Sequence, residues 1–211
     1  MILPIIAYGH PVLKRKAEVI NKDYPKLKEL IENMFETMYN ANGVGIAAPQ
    51  IGLSIRLFIV DTSPFSEDES LSDEDRSLLK SFKKVFINPE ILDENGDEWS
   101  FEEGCLSIPN IRESVLRQKQ ITIQYHDENF NKHTDSFDGL LARVIQHEYD
   151  HIEGVLFTDK LSSFKKQLLK KKLLKISSGK LSFDYEMKYF KSSKKKKTVW
   201  NDCFIVFRKK Q

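Results

Sequence analysis

The chain contains 211 residues, of which 40% are hydrophobic and 30% are charged, so it is expected to be globular rather than disordered or fibrous. It has two cysteines and no apolar run long enough to cross a membrane, which excludes a disulfide framework and predicts a cytoplasmic protein with no membrane partner. The net charge of +2 is unevenly distributed: residues 165–211 hold sixteen of the 33 basic residues and three of the 31 acidic ones, leaving 17 basic and 28 acidic residues in positions 1–164. This basic region predicts an anionic partner such as nucleic acid, with a solvated tail that binds nothing as the alternative.

Hydrophobic spacing predicts the elements in the first part of the chain. Apolar residues recur every three or four positions across residues 25–42, which predicts a helix with Asp23 as its cap and Gly43 in the left-handed conformation after it. The apolar run at 55–61 predicts a strand. The segment 62–80 is an acidic insert, expected to be a mobile loop with one helical turn near its end.

The middle of the chain combines strands with a second helix. Alternating segments at 85–92, 121–126 and 132–137 predict strands. A helix is expected to begin after the cap Asp138 and to end at Gly154. Because the strands do not alternate regularly with helices, the pattern favours an α+β fold over a βαβ arrangement.

The C-terminal region begins with a basic amphipathic segment. Residues 162–177 are predicted to form a helix whose apolar stripe, including Phe164 and Leu168, packs on the body while its lysines face outward. We expect residues 1–188 to form one folded domain and residues 189–211 to form a basic tail with an apolar stretch that could form a strand.

The strongest chemical signal is the pentapeptide from His147 to His151. Residues four apart share one face of a helix, so both imidazoles can reach one metal ion, and Glu148 is close enough to handle the proton of a bound water. Asp150 faces elsewhere and is expected to pair with Arg117, because a buried unpaired carboxylate would be costly. For the pentapeptide as a whole, the alternative to a metal site is a chance match on a purely structural helix.

A catalytic metal centre of this type needs a third protein ligand. The residues alone leave this ligand open among Cys105, His126, His133, His10 and several acids. Cys105 follows Gly104, where the backbone can approach another group closely. A thiolate with two imidazoles suits iron(II), zinc, cobalt or nickel rather than magnesium or calcium.

Three short segments together carry a family resemblance. They are GVGIAAPQ at 43–50, EGCLS at 103–107 and QHEYDH at 146–151. In this order they resemble the motifs of the peptide deformylases, hydrolases that remove the N-formyl group from the N-terminal methionine of new polypeptides and release formate. The resemblance covers about residues 1–180. It implies an α+β fold in which antiparallel β-sheets surround a central metal-binding helix with the HExxH motif.

The resemblance also implies roles for individual residues. The implied ligands of one divalent ion, typically iron(II) with zinc, nickel or cobalt able to substitute, are Cys105, His147 and His151. Glu148 is implied as the general acid and base, and the Gln50 side chain and the Leu106 backbone N–H as the groups that stabilise the oxyanion. The residues implied to bind substrate are Val44, Gly45, Ile46, Glu103 and Gly104 along its backbone and Leu140, Arg143 and Val144 around its methionine side chain.

Two other functions share some of these features. A zinc metalloprotease shares HExxH but usually takes its third ligand from a later His or Glu, and no histidine follows His151. A nucleic-acid-binding protein with an inactive metal site would be expected to have lost catalytic residues, and these are intact. The expected partners are therefore N-formylmethionyl nascent peptides and the ribosome, whose RNA the basic C-terminal region would contact.

Overall fold

The computed structural model describes residues 1–190, so the strand expected in the tail lies outside the described residues. Within them the chain forms seven strands and four α-helices, an α+β architecture as predicted. The strands are β1 (Ile5–Ile6), β2 (Gly45–Ala47), β3 (Leu57–Asp61), β4 (Lys83–Cys105), β5 (Ile108–His126), β6 (Lys132–Asp138) and β7 (Met187–Lys188). The helices are α1 (Leu27–Asn40), α2 (Asp73–Ser81), α3 (Gly139–Ile152) and α4 (Ser163–Ser177).

The main sheet is antiparallel and has the strand order β2-β3-β4-β5-β6. Strand β3 is buried along its whole length, which explains its continuous apolar sequence. Because successive side chains of a strand point to opposite faces, β3 contributes to two cores. Phe58 and Val60 pack in the cluster that includes Val144 of α3, whereas Leu57 and Ile59 pack in the cluster that includes α1. The sheet therefore lies between α3 and α1.

Strands β4 and β5 form one long hairpin whose closing turn is Leu106–Ser107. The sequence predicted only the two ends of this hairpin, at 85–92 and 121–126. The pairing contains register shifts, including one between Asn95 and Glu98, and many of its central side chains are exposed and charged. These bulges interrupt the alternation from which a strand is predicted.

Two helix boundaries differ from the expected ones. Helix α1 is capped by Lys26, which has a left-handed backbone (φ 56°) and no side-chain cap, so the prediction of Asp23 as the cap was wrong. After α1 the left-handed residue is Asn42 (φ 54°) rather than Gly43. Asparagine tolerates this conformation better than most residues with a Cβ. Gly43 instead provides space, since a Cβ there would lie 2.9 Å from Leu106 Cδ1.

The acidic insert contains more regular structure than expected. It includes a 3₁₀ helix at Ser63–Glu67 and the nine-residue helix α2, rather than a single helical turn. The Ser72 hydroxyl accepts a hydrogen bond from Asp75 N, and the three acids in the first turn of α2 favour this helix terminus. Leu79 anchors α2 in the core beside the sheet.

Helix α4 buries only part of the predicted apolar stripe. Its buried residues are Leu169, Leu173 and Ile176, whereas Phe164 and Leu168 are 73% and 63% exposed. At about 100° per residue, Leu168 lies to one side of the buried face that contains Leu169, and it is exposed. No α-helix within residues 1–190 is long and apolar enough to span a membrane.

Candidate metal centre and substrate cleft

Helix α3 carries the histidine pair at its C-terminal end. Its inner face packs on the sheet through Leu141 and Ile145, and this packing fixes the helix rotation. His147 and His151, one helical turn apart, consequently point into the protein and are 9% and 1% exposed.

Cys105 is the residue that the fold brings to this pair. It is the last residue of β4, immediately before the hairpin turn, and its Sγ lies 3.2 Å from His151 Nε2. One potential ligand atom from each of Cys105, His147 and His151 lies within 4.8 Å of the others. Two other candidates serve elsewhere: His10 accepts a hydrogen bond from Val12 N, and His133 pairs with Asp127.

Glu103 is the buried anion that holds His147 in place. Its Oε2 lies 2.9 Å from His147 Nδ1, which leaves Nε2 of that ring for the metal centre. Arg117 donates two hydrogen bonds to Glu103, at 2.6 and 2.9 Å, and Arg143 donates one at 2.9 Å. Arg117 also pairs with Asp150 at 2.6 Å, which confirms the predicted ion pair. Two arginines thus fix the carboxylate that orients a candidate ligand.

Burial and neighbouring charges set the protonation of these groups. Burial lowers the pKa of His151 well below its usual range, helped by the positive charge on His147, so its imidazole is neutral. Burial alone would also lower the pKa of His147, but hydrogen bonds to Cys105 and Glu103 raise it well above its usual range. The same anionic surroundings would favour a metal cation. Burial raises the pKa of Glu148 to about 7.

The three possible ligands, and an unpaired carboxylate oxygen beside them, are consistent with a site for a divalent metal ion. One sulfur and two imidazole nitrogens converge in a buried place, a combination typical of transition-metal sites. Glu148 Oε2 and His151 Nδ1 are buried without a hydrogen-bond partner among the described residues. Buried polar atoms are normally paired, so the open oxygen of Glu148 indicates room for a bound ligand or water.

Gln50 approaches the cluster from a 3₁₀ helix that begins after β2. Its Oε1 accepts a hydrogen bond from Ala47 N at 2.8 Å, which directs Nε2 toward Cys105 Sγ at 3.6 Å. Gln50 is 1% exposed, so its amide is fixed by packing as well as by this bond. An oriented N–H donor therefore lies beside the candidate metal ligands.

Gly45 gives Glu148 the space that it occupies. A Cβ at Gly45 would lie 2.6 Å from Glu148 Oε1 and 2.8 Å from its Cγ, closer than real Cβ contacts. Any larger residue at position 45 would therefore displace the carboxylate.

A cleft of about 750 Å³ opens over the cluster. Among the residues implied to bind substrate, those that line it are Val44, Gly45, Glu103, Gly104, Arg143 and Val144. Leu140 and Ile46 are not part of the cleft wall as described for residues 1–190: Leu140 packs beside the core of α3, and the Ile46 side chain is buried with α1. Strand β2 is an edge of the sheet, so its backbone borders the cleft with one side unpaired within the described sheet.

Several residues of the cleft wall were not predicted from the sequence, and Tyr185 is the most distant of them along the chain from the three motifs. Tyr185 lines the cleft and donates a hydrogen bond to Leu106 O at 2.8 Å. The available signal was the alternation of Phe183, Tyr185, Met187 and Tyr189 with charged residues, since period two is typical of a strand.

Comparisons with known proteins agree with this geometry. Residues 2–167 match the family model described as Polypeptide deformylase. The chain is 64% identical over 189 residues to a peptide deformylase of Christiangramia forsetii, covering 90% of this chain and 96% of that protein. It is also 64% identical over 188 residues to a peptide deformylase of Flavobacterium psychrophilum, covering 89% of this chain and 97% of that protein.

Solved structures lead to the same family. A peptide deformylase from Legionella pneumophila superimposes with a TM-score of 0.72 at 36% identity, covering 85% of this chain and 98% of that one. A peptide deformylase from Thermotoga maritima superimposes with a TM-score of 0.67 at 37% identity, covering 77% of this chain and 99% of that one. The chain that brings Cys105 to the histidine pair of α3 therefore belongs to the polypeptide deformylase family.

Proposed function

We propose that this protein hydrolyses the formyl amide at the N-terminal methionine of newly made polypeptides and releases formate. The observation that carries the proposal is the convergence of Cys105, His147 and His151 beside Glu148, at the base of a cleft bordered by an edge strand. Membership of the deformylase family supports the same activity. The α3 helix, with its HExxH motif, is in this proposal the central metal-binding element of the fold.

The three ligands would hold one divalent ion, for which we propose iron(II), with zinc, nickel or cobalt as substitutes. The thiolate and two imidazoles favour these ions over magnesium or calcium. When bound, such an ion supplies Lewis acidity that activates water and polarises a carbonyl group.

We assign the proton transfers to Glu148. Its unpaired Oε2 is buried next to the ligand cluster, where it can accept a proton from the attacking water. After attack on the formyl carbon, the same carboxyl group returns a proton to the leaving amine, which frees the new N-terminus. The Gln50 amide and the Leu106 backbone N–H are the donors proposed for the developing oxyanion.

The cleft wall is proposed to bind the substrate as an added strand. The backbone of Val44, Gly45 and Ile46 along β2 would pair with the peptide on one side, and Glu103 and Gly104 at the end of β4 would contact it on the other. Arg143 and Val144, which line the cleft, are proposed to surround the methionine side chain, with Leu140 packed behind them against the core.

We propose residues 1–188 as the catalytic domain, working in the cytoplasm where its substrates are made. Residues 165–211 would bring it to the ribosome, because RNA phosphates attract a cationic surface. Lysines 170, 171 and 172 of α4 are exposed and support this role. Reversing these three charges should weaken co-sedimentation with ribosomes at low salt, whereas reversing Lys22, Lys26 and Lys28 should not. Equal binding by both variants would contradict the proposed contact.

The activity is tested by formate release from a formyl-Met tripeptide, measured anaerobically with iron-loaded protein. The matched acetyl-Met tripeptide and a longer unformylated peptide serve as controls. We expect formate from the first substrate, little turnover of the second and no internal cleavage of the third. Cleavage of internal peptide bonds without formate release would instead support a metalloprotease.

A further inference from the structure

The hairpin turn that carries the candidate ligand Cys105 is held from outside by two distant segments. Tyr8 N donates a hydrogen bond to Ser107 O at 2.9 Å, and the Tyr185 hydroxyl donates one to Leu106 O at 2.8 Å. Both carbonyl groups of the two-residue turn therefore have a partner that lies outside the hairpin.

The two holding segments are joined to each other. Residues 179–190, here called the C-terminal strap, include β7, which pairs in parallel with β1. Ile5 N donates to Glu186 O and Ala7 N to Lys188 O, each at 2.9 Å. The strap and the N-terminal strand thus reach the turn as one paired unit, which limits how far Tyr185 can move.

Tyr185 is also a wall of the cleft. Tyr185 and Leu106 both pack against the core cluster that contains α1, and Tyr185 lines the cleft together with Cys105 and Glu148. Position 185 lies beyond residues 2–167, which match the family model, so the strap adds a cleft residue that this match does not include.

We propose that Tyr185 is a positioning residue that fixes the Leu106 peptide for oxyanion stabilisation. The proposal rests on the proposed function, in which the Leu106 N–H is an oxyanion donor. The N–H and C=O of one residue flank the same Cα, so anchoring the carbonyl restricts rotation of the backbone that aims the N–H. A preorganised donor stabilises the transition state more than the ground state, so the contact should contribute to kcat rather than to KM.

The test compares Tyr185→Phe with Tyr189→Phe, which removes a hydroxyl from the same strap. Tyr189 packs beside Gly179 and is absent from the cleft wall as described. For Tyr185→Phe we expect kcat to fall about three- to tenfold, the effect of one net hydrogen bond, with KM changed less than about twofold. Metal content should equal that of the unchanged protein, and Tyr189→Phe should leave kcat and KM unchanged.

Hydrogen exchange gives a readout that does not depend on turnover. Amides of a peptide spanning residues 104–109 should exchange faster in Tyr185→Phe and at the original rate in Tyr189→Phe. Unchanged kcat, a rise in KM alone, or equal losses in both variants would overturn the proposal. If the unchanged protein released no formate, the proposed function would fail, while the exchange measurement would still test the contact between Tyr185 and the turn.

Discussion

Replacing Glu103 by glutamine should reveal how strongly the buried charge network supports the metal centre. Glu103 is 5% exposed and faces three partners: Arg117, Arg143 and His147. The substitution keeps the shape of the side chain but removes its charge. The positive charges of both arginines then remain buried with less compensation, although Arg117 keeps its pair with Asp150.

The expected cost is large on the scale of protein stability. Removing one partner of a buried ion pair typically costs about 3–5 kcal/mol, against a total stability of about 5–15 kcal/mol. His147 also loses its charged partner, and the neutral amide oxygen that replaces it is a weaker acceptor for the ring N–H. Loss of such an outer partner typically weakens metal affinity about 10- to 100-fold.

Two measurements separate these effects. Urea unfolding of the metal-free protein gives the change in unfolding free energy, and competition with a chelator gives metal affinity. The matched control is Asp150→Asn, because Asp150 pairs with Arg117 and Lys160 rather than with a histidine. We expect it to cost about 1–3 kcal/mol and to leave metal affinity unchanged. If Glu103→Gln altered neither quantity, the network could not be what positions His147.

Three further variants test separate parts of the account. Glu148→Gln should keep its metal and lose about 10²–10⁴ in kcat, whereas Glu153→Gln, at the C-cap of the same helix, should remain active; near-normal turnover of the first would exclude its role in proton transfer. Gln50→Ala should lose about 10²–10³ in kcat, and a change confined to KM would make it a binding residue instead. Burial opposes ionisation of Asp61, but hydrogen bonds from Tyr39 and Ser63 and the charge of Lys83 hold its pKa below the usual range. Asp61→Asn should therefore lower the unfolding free energy above about pH 4, with a difference that shrinks as the pH falls; a difference independent of pH would contradict this.

Local patterns were sufficient to predict some elements and not others. Helix α3 was predictable because its apolar spacing, its cap position at Asp138 and the stop at Gly154 all lie within about one helix length. The burial of Leu168 was wrongly predicted because neighbouring apolar residues on α4 form more than one stripe, and only the body decides which one is covered. The pairing of β1 with β7 joins opposite ends of the described chain, so no local pattern specifies it.

In the candidate site, too, some features were predictable from local sequence patterns and others were not. The histidine pair follows from helical spacing, but the choice of Cys105 over the other candidate ligands came from a family resemblance and not from periodicity. The position of Tyr185 in the cleft wall depends on tertiary contacts, and so does the pairing of Arg117 with two carboxylates at once. The pairing of Arg117 with Asp150 was predicted from the cost of a buried charge, whereas the simultaneous pairing of Arg117 with Glu103 required the hairpin register.

A metal titration of formate release tests whether hydrolysis depends on an ion held by Cys105, His147 and His151. Protein stripped by a chelator would be titrated anaerobically with iron(II), and the initial rate on a formyl-Met peptide would be measured against ions added per chain. We expect no activity without metal, a rise that saturates at about one ion per chain, and no recovery for Cys105→Ala. Full formate release by the metal-free protein, or full recovery by Cys105→Ala, would contradict this dependence.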